Sequence, residues 1–228
     1  MDATTCPVVI LAGGKSRRLG RDKASEVLAG KTLLQRAIDA SATLASLYVI
    51  VTARGRQIPA IDSAVPVSTV EDSYPETGPL GGIYTGLSAL TPGPQDQTSP
   101  LLQRQAGGRG EGFPALVLAC DLPLLQPLLL RELLRLAPGH DAVVPVKDGL
   151  PEPLCAVYST RCVEPARRLL ERGAYKVAGL FDDVDTLLVP ESHWRTLDRD
   201  GLSFLNVNHE EDLLRAHALI ENPGHIDG

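Results

Sequence analysis

The sequence predicts an α/β fold in which helices cover both faces of a mostly parallel central sheet. Short apolar runs with β-branched residues alternate along the chain with segments whose apolar residues recur at helical spacing. Residues 7–11, 33–45 and 48–52 form the first strand, helix and strand, and residues 115–120 are continuously apolar, as in a strand covered on both faces. Such alternation is typical of three layers packed around a parallel sheet.

The segments that follow continue this alternation. We expect strands over residues 65–70, 141–146 and 154–158, and helices over residues 83–90, 126–137, 159–171 and 208–220. Pro165 lies in the opening turns of the third of these helices, and acidic residues mark the start of the last one. Both features suit a helix N-terminus.

The domain organisation follows from length and from one break in the pattern. A chain of 228 residues can bury one large core, and we expect a single domain over residues 1–228. Residues 91–114, rich in proline, glycine and glutamine, interrupt the alternation and have little periodicity. This composition resembles a linker, which favours a flexible insertion over a lid, the other common form of so long a loop.

Composition disfavours several classes of function. The formal charge of −6 argues against a basic nucleic-acid-binding surface, and the few aromatic residues form no stacking ladder. The N-terminus lacks the basic region of a signal peptide, and the leucine-rich residues 122–137 contain prolines and arginines, so we expect no membrane span. The 4 cysteines form no CxxC pair, which favours reduced thiols and a cytoplasmic location.

The segment LAGGKSRRLGRDK, residues 11–23, directly follows the first predicted strand. Gly13 and Gly14 have no Cβ, so their N–H groups can approach a phosphate closely, and Arg18 and Lys23 can neutralise its charge. The alternative is an ordinary surface turn with solvated basic residues. The spacing fits neither GxxxxGK[ST] nor GxGxxG, which argues against a P-loop kinase and a dinucleotide-dependent dehydrogenase.

Two carboxylates follow predicted strands at the same edge of the sheet. Asp121 ends the strand over residues 115–120, and Asp72 follows the strand over residues 65–70. Each alone is compatible with a turn or cap, but together they face the glycine-rich basic segment. Because Mg²⁺ prefers carboxylate oxygens, the pattern predicts a nucleotide–metal site with Asp121 as the best metal ligand. We expect no Ser, Cys or His nucleophile, with Cys120 packed in the core and the histidines on the surface.

Four quoted stretches now indicate a family. LAGGKSRRLGRDK, EDSYPETGPLGGIYTGL, ACDLPLL and FLNVNHEEDL together resemble the molybdenum cofactor guanylyltransferases of the nucleotidyltransferase superfamily, over nearly the whole chain apart from residues 91–114. The resemblance implies a Rossmann-like three-layer α/β/α nucleotidyltransferase fold. It also implies transfer of GMP from Mg-GTP to the phosphate of molybdopterin, which forms the molybdopterin guanine dinucleotide cofactor and releases pyrophosphate.

The same resemblance assigns roles to individual residues. The implied nucleotide contacts are Leu11, Ala12, Gly13, Gly14, Lys23, Thr52, Asp72 and Asp121. Of these, Lys23 would hold the phosphates together with Arg18, Asp72 would lie near the guanosine, and Asp121 would bind Mg²⁺. The acceptor side would include Pro153, Asn206 and Asn208.

The implied partners are GTP, molybdopterin or the molybdenum cofactor, and proteins that deliver the cofactor or receive it. Two positions depart from the family pattern. Thr52 stands where some members have asparagine, and the segment GAYKVAGLF around Lys176 replaces a more arginine-rich one.

Two other functions remain open on the sequence. The first is a cytidylyltransferase or another nucleotidyltransferase with a different phosphate acceptor, because a glycine-rich loop does not determine which base is bound. The second is a non-catalytic nucleotide-binding regulator. The joint presence of Arg18, Lys23 and Asp121 favours an enzyme over this regulator.

Overall fold

The computed structural model describes residues 5–13, 23–91 and 112–221. The strands are β1 (Cys6–Leu11), β2 (Val27–Leu28), β3 (Lys31–Thr32), β4 (Ala45–Thr52), β5 (Val67–Glu71), β6 (Pro114–Ala119), β7 (Ala142–Lys147), β8 (Leu150–Pro151), β9 (Cys155–Ser159) and β10 (Thr186–Val189). The central sheet has the strand order β10-β7-β9-β6-β1-β4-β5, with β8 paired to β7, and a separate hairpin is formed by β2 and β3.

The predicted, mostly parallel sheet is confirmed. β1 pairs in parallel with both β4 and β6, and β5 extends the parallel set beyond β4. Within the main sheet path, β9 is the antiparallel strand, between β6 and β7. The chain runs from β1 outward through β4 to β5 and returns to β6 on the other side of β1. This reversal is the position at which open α/β sheets bind ligands, beyond the carboxyl ends of the strands.

Helices cover both faces of the sheet, as the sequence predicts. Alternate residues of β1 point to opposite faces. The helices are α1 (Leu33–Ser41), α2 (Pro79–Ala89), α3 (Pro127–Leu136), α4 (Val163–Glu171), α5 (Ala178–Asp183), α6 (Glu191–Trp194) and α7 (Glu210–Glu221). Val8 and Ile10 belong to a core that includes residues of α1 and α3, whereas Val9 and Leu11 belong to a second core with residues of α2 and α4.

Helix α1 is shorter than predicted. The sequence predicts a helix to residue 45, but α1 ends at Ser41, whose hydroxyl donates to the Ala37 carbonyl at 2.8 Å. The amide of Leu44 then donates to the Ser41 carbonyl at 2.9 Å, which closes a turn. Ala45 consequently begins β4 instead of ending the helix.

Helix α2 begins four residues earlier than the predicted position 83. Gly78 precedes it with φ 70°, and Pro79 occupies the first turn. Glycine has low helix propensity, so the glycines of this segment conceal the helix in the sequence. The glycines allow close tertiary packing of α2 against β1, because a Cβ on Gly86 would lie 2.2 Å from Cγ1 of Val9.

The last predicted helices also differ in detail. Ser159 begins a 3₁₀ turn over Thr160–Cys162, and α4 starts only at Val163. The final helix starts at Glu210 instead of residue 208. The sequence patterns did not predict β10, α5 or α6, which are only 4, 6 and 4 residues long.

The cysteines are packed inside the protein. Cys6, Cys120, Cys155 and Cys162 are free and buried. Burial raises the pKa of Cys6 and of Cys162 to about 12. Cys120 lies in the core, as predicted, with 5% of its surface exposed. Within the described ranges, no helix has both the length and the apolar character needed to cross a bilayer.

Candidate active site

A cleft of about 710 Å³ opens where β1, β4, β5 and β6 end. Its floor is the end of β1, its two sides follow β4–β5 and β6, and α2 starts at its rim. The described residues that line it are Leu11, Ala12, Gly13, Lys23, Val51, Ala53, Arg56, Asp72, Pro75, Glu76, Gly78, Pro79, Gly82, Ala119, Cys120, Asp121 and Leu154. The structure therefore brings the glycine segment and both predicted carboxylates to one cavity.

Lys23 lies at the centre of the polar contacts on the β6 side of the cleft. Its Nζ donates to Oδ2 of Asp121 at 2.8 Å and to Oδ1 of Asn208 at 2.6 Å. The side chains of Lys23 and Asp121 are 22% and 18% exposed, so water screens this ion pair only in part. A cation and a carboxylate are thus held together on the β6 side of the cleft.

Asp121 is also contacted by the NVN segment, which consists of Asn206, Val207 and Asn208. The amide of Val207 donates to the Asp121 carbonyl at 3.0 Å, and the Val207 side chain is fully buried. Asp212 accepts the amides of Asn208 and His209, both at 2.8 Å, and these backbone contacts hold its pKa below the usual value. Asn208 is therefore fixed toward Lys23, whereas Asn206 is exposed.

Asp72 occupies the opposite, β5 side of the cleft. Its Oδ1 accepts the Tyr74 amide at 3.0 Å and the Thr85 hydroxyl at 3.2 Å. Its own amide donates to the Thr52 carbonyl at 2.8 Å. The carboxylate is thus oriented by both the following loop and helix α2.

Gly13 and Thr52 meet where β1 and β4 end. A Cβ added to Gly13 would lie 3.2 Å from the Ala53 amide nitrogen, so glycine is needed here for close backbone packing. The Thr52 side chain is 1% exposed, and its hydroxyl donates to the Val70 carbonyl at 3.4 Å. This side chain points away from the cleft, and its neighbours Val51 and Ala53 contribute to the lining instead.

Pro153, predicted on the acceptor side, lies beside the cleft. Its carbonyl accepts the Tyr158 hydroxyl at 2.9 Å, and the next residue, Leu154, lines the cavity. Pro153 and Leu154 are both partly buried. The structure therefore brings the segment that contains Pro153 to the β6 side, near Asp121.

Comparison with known proteins identifies the family. The MobA-like NTP transferase domain matches residues 8–186 of the chain. The chain belongs to the MobA-like NTP transferase family. A molybdenum cofactor guanylyltransferase from Desulfosudis oleivorans is 32% identical over 223 residues, which make up 97% of this chain and 98% of that protein. The predicted resemblance is thereby confirmed, and this MobA-like chain is a nucleotidyltransferase.

Solved structures share the fold of this MobA-like chain. Molybdopterin-guanine dinucleotide biosynthesis protein A from Archaeoglobus fulgidus has a TM-score of 0.71 at 23% identity, over 95% of this chain and 100% of that one. The 2-C-methyl-D-erythritol 4-phosphate cytidylyltransferase from Thermus thermophilus has a TM-score of 0.62 at 18% identity, over 94% and 98% of the two chains. At these identities the similarity supports the fold alone. The name of the first structure refers to guanine and that of the second to a cytidylyl group, so the two neighbours do not agree on the base.

Part of the predicted MobA-like site lies outside the described residues. Gly14 and Arg18 fall in the gap between the described residues 13 and 23. Most of the predicted insertion falls in the gap between residues 91 and 112. Their predicted roles are neither supported nor contradicted by the geometry. The described part of the site therefore rests on Gly13, Lys23, Asp72, Asp121 and Asn208.

The site also contains three side chains that the sequence patterns do not single out: Arg56, Glu76 and Thr85. Arg56 and Glu76 line the cleft in the loops after β4 and β5, and Thr85 holds Asp72 from helix α2. For the first two a signal existed, because loops that follow parallel strands reach the ligand edge of the sheet. Thr85 lies in the predicted helix over residues 83–90 and in the quoted stretch EDSYPETGPLGGIYTGL, but helical periodicity does not indicate that its hydroxyl reaches Asp72.

Proposed function

We propose that this MobA-like chain transfers GMP from Mg-GTP to the phosphate of molybdopterin and releases pyrophosphate. The product would be the molybdopterin guanine dinucleotide form of the molybdenum cofactor. The observation that carries the proposal is the cluster of Lys23, Asp121 and Asn208. In it, Lys23 at the end of the glycine-rich segment contacts both the carboxylate that follows β6 and the NVN segment, at the β6 side of the cleft. The name of the Desulfosudis oleivorans relative supports the choice of GTP and of the molybdenum cofactor.

The reaction requires positioning and charge stabilisation more than covalent help from the protein. An acceptor phosphate oxygen forms a bond to the α-phosphorus of GTP, and the bond from that phosphorus to the bridging oxygen of pyrophosphate breaks. The pyrophosphate leaves with the electron pair of this bond. Lys23 would neutralise the negative charge that develops on the leaving phosphates. Arg18 would add a second cation.

The chemistry of the described residues fits Mg²⁺ that arrives with the nucleotide. No group of three or more His, Cys, Asp or Glu side chains that could hold a metal occurs among the described residues. Asp121 offers a carboxylate in the cleft, and Mg²⁺ is commonly held by one or two carboxylates together with substrate phosphates and waters. When bound, Mg²⁺ would stabilise charge on the phosphates. Asp121 would hold it, and Lys23 would keep this carboxylate oriented.

Pyrophosphate release measured with purified protein, molybdopterin and Mg-GTP tests the proposal directly. We expect release that depends on both substrates. Complete absence of release by well-folded protein would favour the nucleotide-binding regulator.

A thermal-shift panel of GTP, CTP, ATP and UTP with Mg²⁺ tests the base separately, because a ligand that binds only the folded state raises its melting temperature. The expected order places GTP first. A larger shift with CTP would replace the guanylyl assignment with the cytidylyl one.

Proteins that deliver or receive the cofactor are also proposed partners.

A further inference from the structure

The Asp72 carboxylate uses its two oxygens differently. Oδ1 accepts two hydrogen bonds, from the Tyr74 amide at 3.0 Å and the Thr85 hydroxyl at 3.2 Å. Oδ2 has no hydrogen-bond partner among the described residues, although Asp72 lines the cleft. A carboxylate has about four acceptor positions, so Oδ2 is available to a ligand.

The Thr85 hydroxyl orients this carboxylate from behind. Its oxygen accepts the Ser73 amide at 3.0 Å, which leaves the hydroxyl hydrogen for Asp72. Thr85 is 4% exposed and does not line the cleft. Its effect on a ligand would therefore pass through Asp72.

Helix α2 gives Thr85 a rigid base. Gly82 and Gly86 bring the helix against β1, where a Cβ on Gly82 would lie 2.9 Å from Cδ1 of Leu11 and one on Gly86 would lie 2.2 Å from Cγ1 of Val9. The β-branched Thr85 side chain also has few rotamers in a helix. The direction of its hydroxyl is thus fixed by the packed core of the sheet.

The sheet places Asp72 at the far end of the cleft from the phosphate residues. Asp72 follows β5 and Asp121 follows β6, and β1 and β4 lie between these strands. Three strand spacings separate the two positions by about 14 Å. A nucleotide whose phosphates lie beside Lys23 and Asp121 would therefore bring its nucleoside half toward Asp72.

We propose that Thr85 is a positioning residue that presents Oδ2 of Asp72 to a hydrogen-bond donor on the nucleoside half of the substrate. This inference rests on the proposed nucleotide transfer and deepens it. The donor is either a ribose hydroxyl or an N–H group of the base, which share the same chemistry toward a carboxylate. Loss of the Thr85 hydroxyl should weaken nucleotide binding and leave turnover at saturation close to wild type.

Calorimetric titration with Mg-nucleotide compares wild type with two variants. Thr85→Val has the same shape without the hydroxyl, and Thr85→Ser keeps the hydroxyl. We expect about tenfold weaker binding for Thr85→Val, the effect of about one lost hydrogen bond, and near-wild-type binding for Thr85→Ser. Steady-state kinetics should show the same increase in KM with an unchanged kcat. The nucleotide used is the one that gives wild type its largest thermal shift.

Thr160→Val is the matched control. Thr160 is also buried, at 8% exposure, and its hydroxyl accepts the Phe113 amide at 3.2 Å without lining the cleft. This variant should lower the melting temperature without changing nucleotide affinity. Equal affinities of wild type and a folded Thr85→Val, or equal losses in Thr85→Val and Thr160→Val, would overturn the proposal.

Nucleotide analogues separate the two donor sources. We expect that 2′-deoxyGTP, 3′-deoxyGTP, ITP or 2-aminopurine riboside triphosphate, whichever lacks the donor, binds wild type more weakly and shows a smaller further loss in Thr85→Val. These four analogues lack the 2′ hydroxyl, the 3′ hydroxyl, the 2-amino group and the N1–H group, respectively. An equal further loss in Thr85→Val with all four analogues would contradict a direct role of Asp72. Calorimetry needs no acceptor, so failure of transfer to molybdopterin refutes the proposed function separately from the role of Thr85.

Discussion

Replacement of Lys23 by methionine tests the phosphate-binding end of the cleft. Methionine has a similar length and no charge, so the change removes the contacts to Asp121 at 2.8 Å and to Asn208 at 2.6 Å with little change in volume. It also removes the cation that we place beside the nucleotide phosphates. The fold should survive, since the side chain keeps its apolar stem.

The expected magnitude follows from the kind of contact that is lost. A hydrogen bond to a charged group contributes about 1.5–3 kcal/mol, which corresponds to about 10- to 150-fold weaker binding of Mg-GTP. Stability should fall less, by about 1–2 kcal/mol, because the Lys23–Asp121 pair is partly exposed to water.

Isothermal titration with Mg-GTP, read beside a melting curve, measures both effects. Lys31→Met is the control, because Lys31 is 56% exposed and pairs at the surface with Asp39, away from the described cleft lining. It should bind the nucleotide like wild type. If Lys23→Met binds Mg-GTP like wild type, or if both variants lose affinity equally, the basic segment is only a solvated surface turn.

Three further changes give sharp outcomes. Asp121→Asn keeps the side-chain shape but should abolish transfer in a pyrophosphate assay without unfolding the protein, and turnover within a few-fold of wild type would exclude Asp121 as the principal metal ligand. Gly13→Val should weaken GTP binding and lower the melting temperature, since its Cβ would lie 3.2 Å from the Ala53 amide nitrogen; unchanged titration and melting curves would contradict this. Burial raises the pKa of Cys6 and Cys162 from 9.0 to about 12. The contribution of the two thiols to the free energy of unfolding should therefore be fully present below pH 9 and be lost as the pH rises from 9 to about 12. Denaturant unfolding at several pH values measures this loss, which should reach up to about 1.4 kcal/mol per pH unit for each thiol. In Cys6→Ala the free energy of unfolding should depend less steeply on pH.

The sequence by itself determined the fold class and the main residues of the cleft. Continuous apolar runs such as residues 115–120 can be read locally, because a strand covered on both faces needs no polar side. Parallel strands share one carboxyl edge, so Asp72 and Asp121 could be assigned to the same side of the sheet from their places after two such runs. The structure indeed brings both to one cleft.

Only the tertiary structure decided how these residues are held. Lys23 and Asn208 are 185 positions apart, and their contact depends on the docking of the NVN segment onto Asp121. Thr85 likewise meets Asp72 only because α2 packs closely against β1. Hydrophobic periodicity records which side of an element is buried but carries no information on which distant side chain lies there, since that depends on the packing of whole elements.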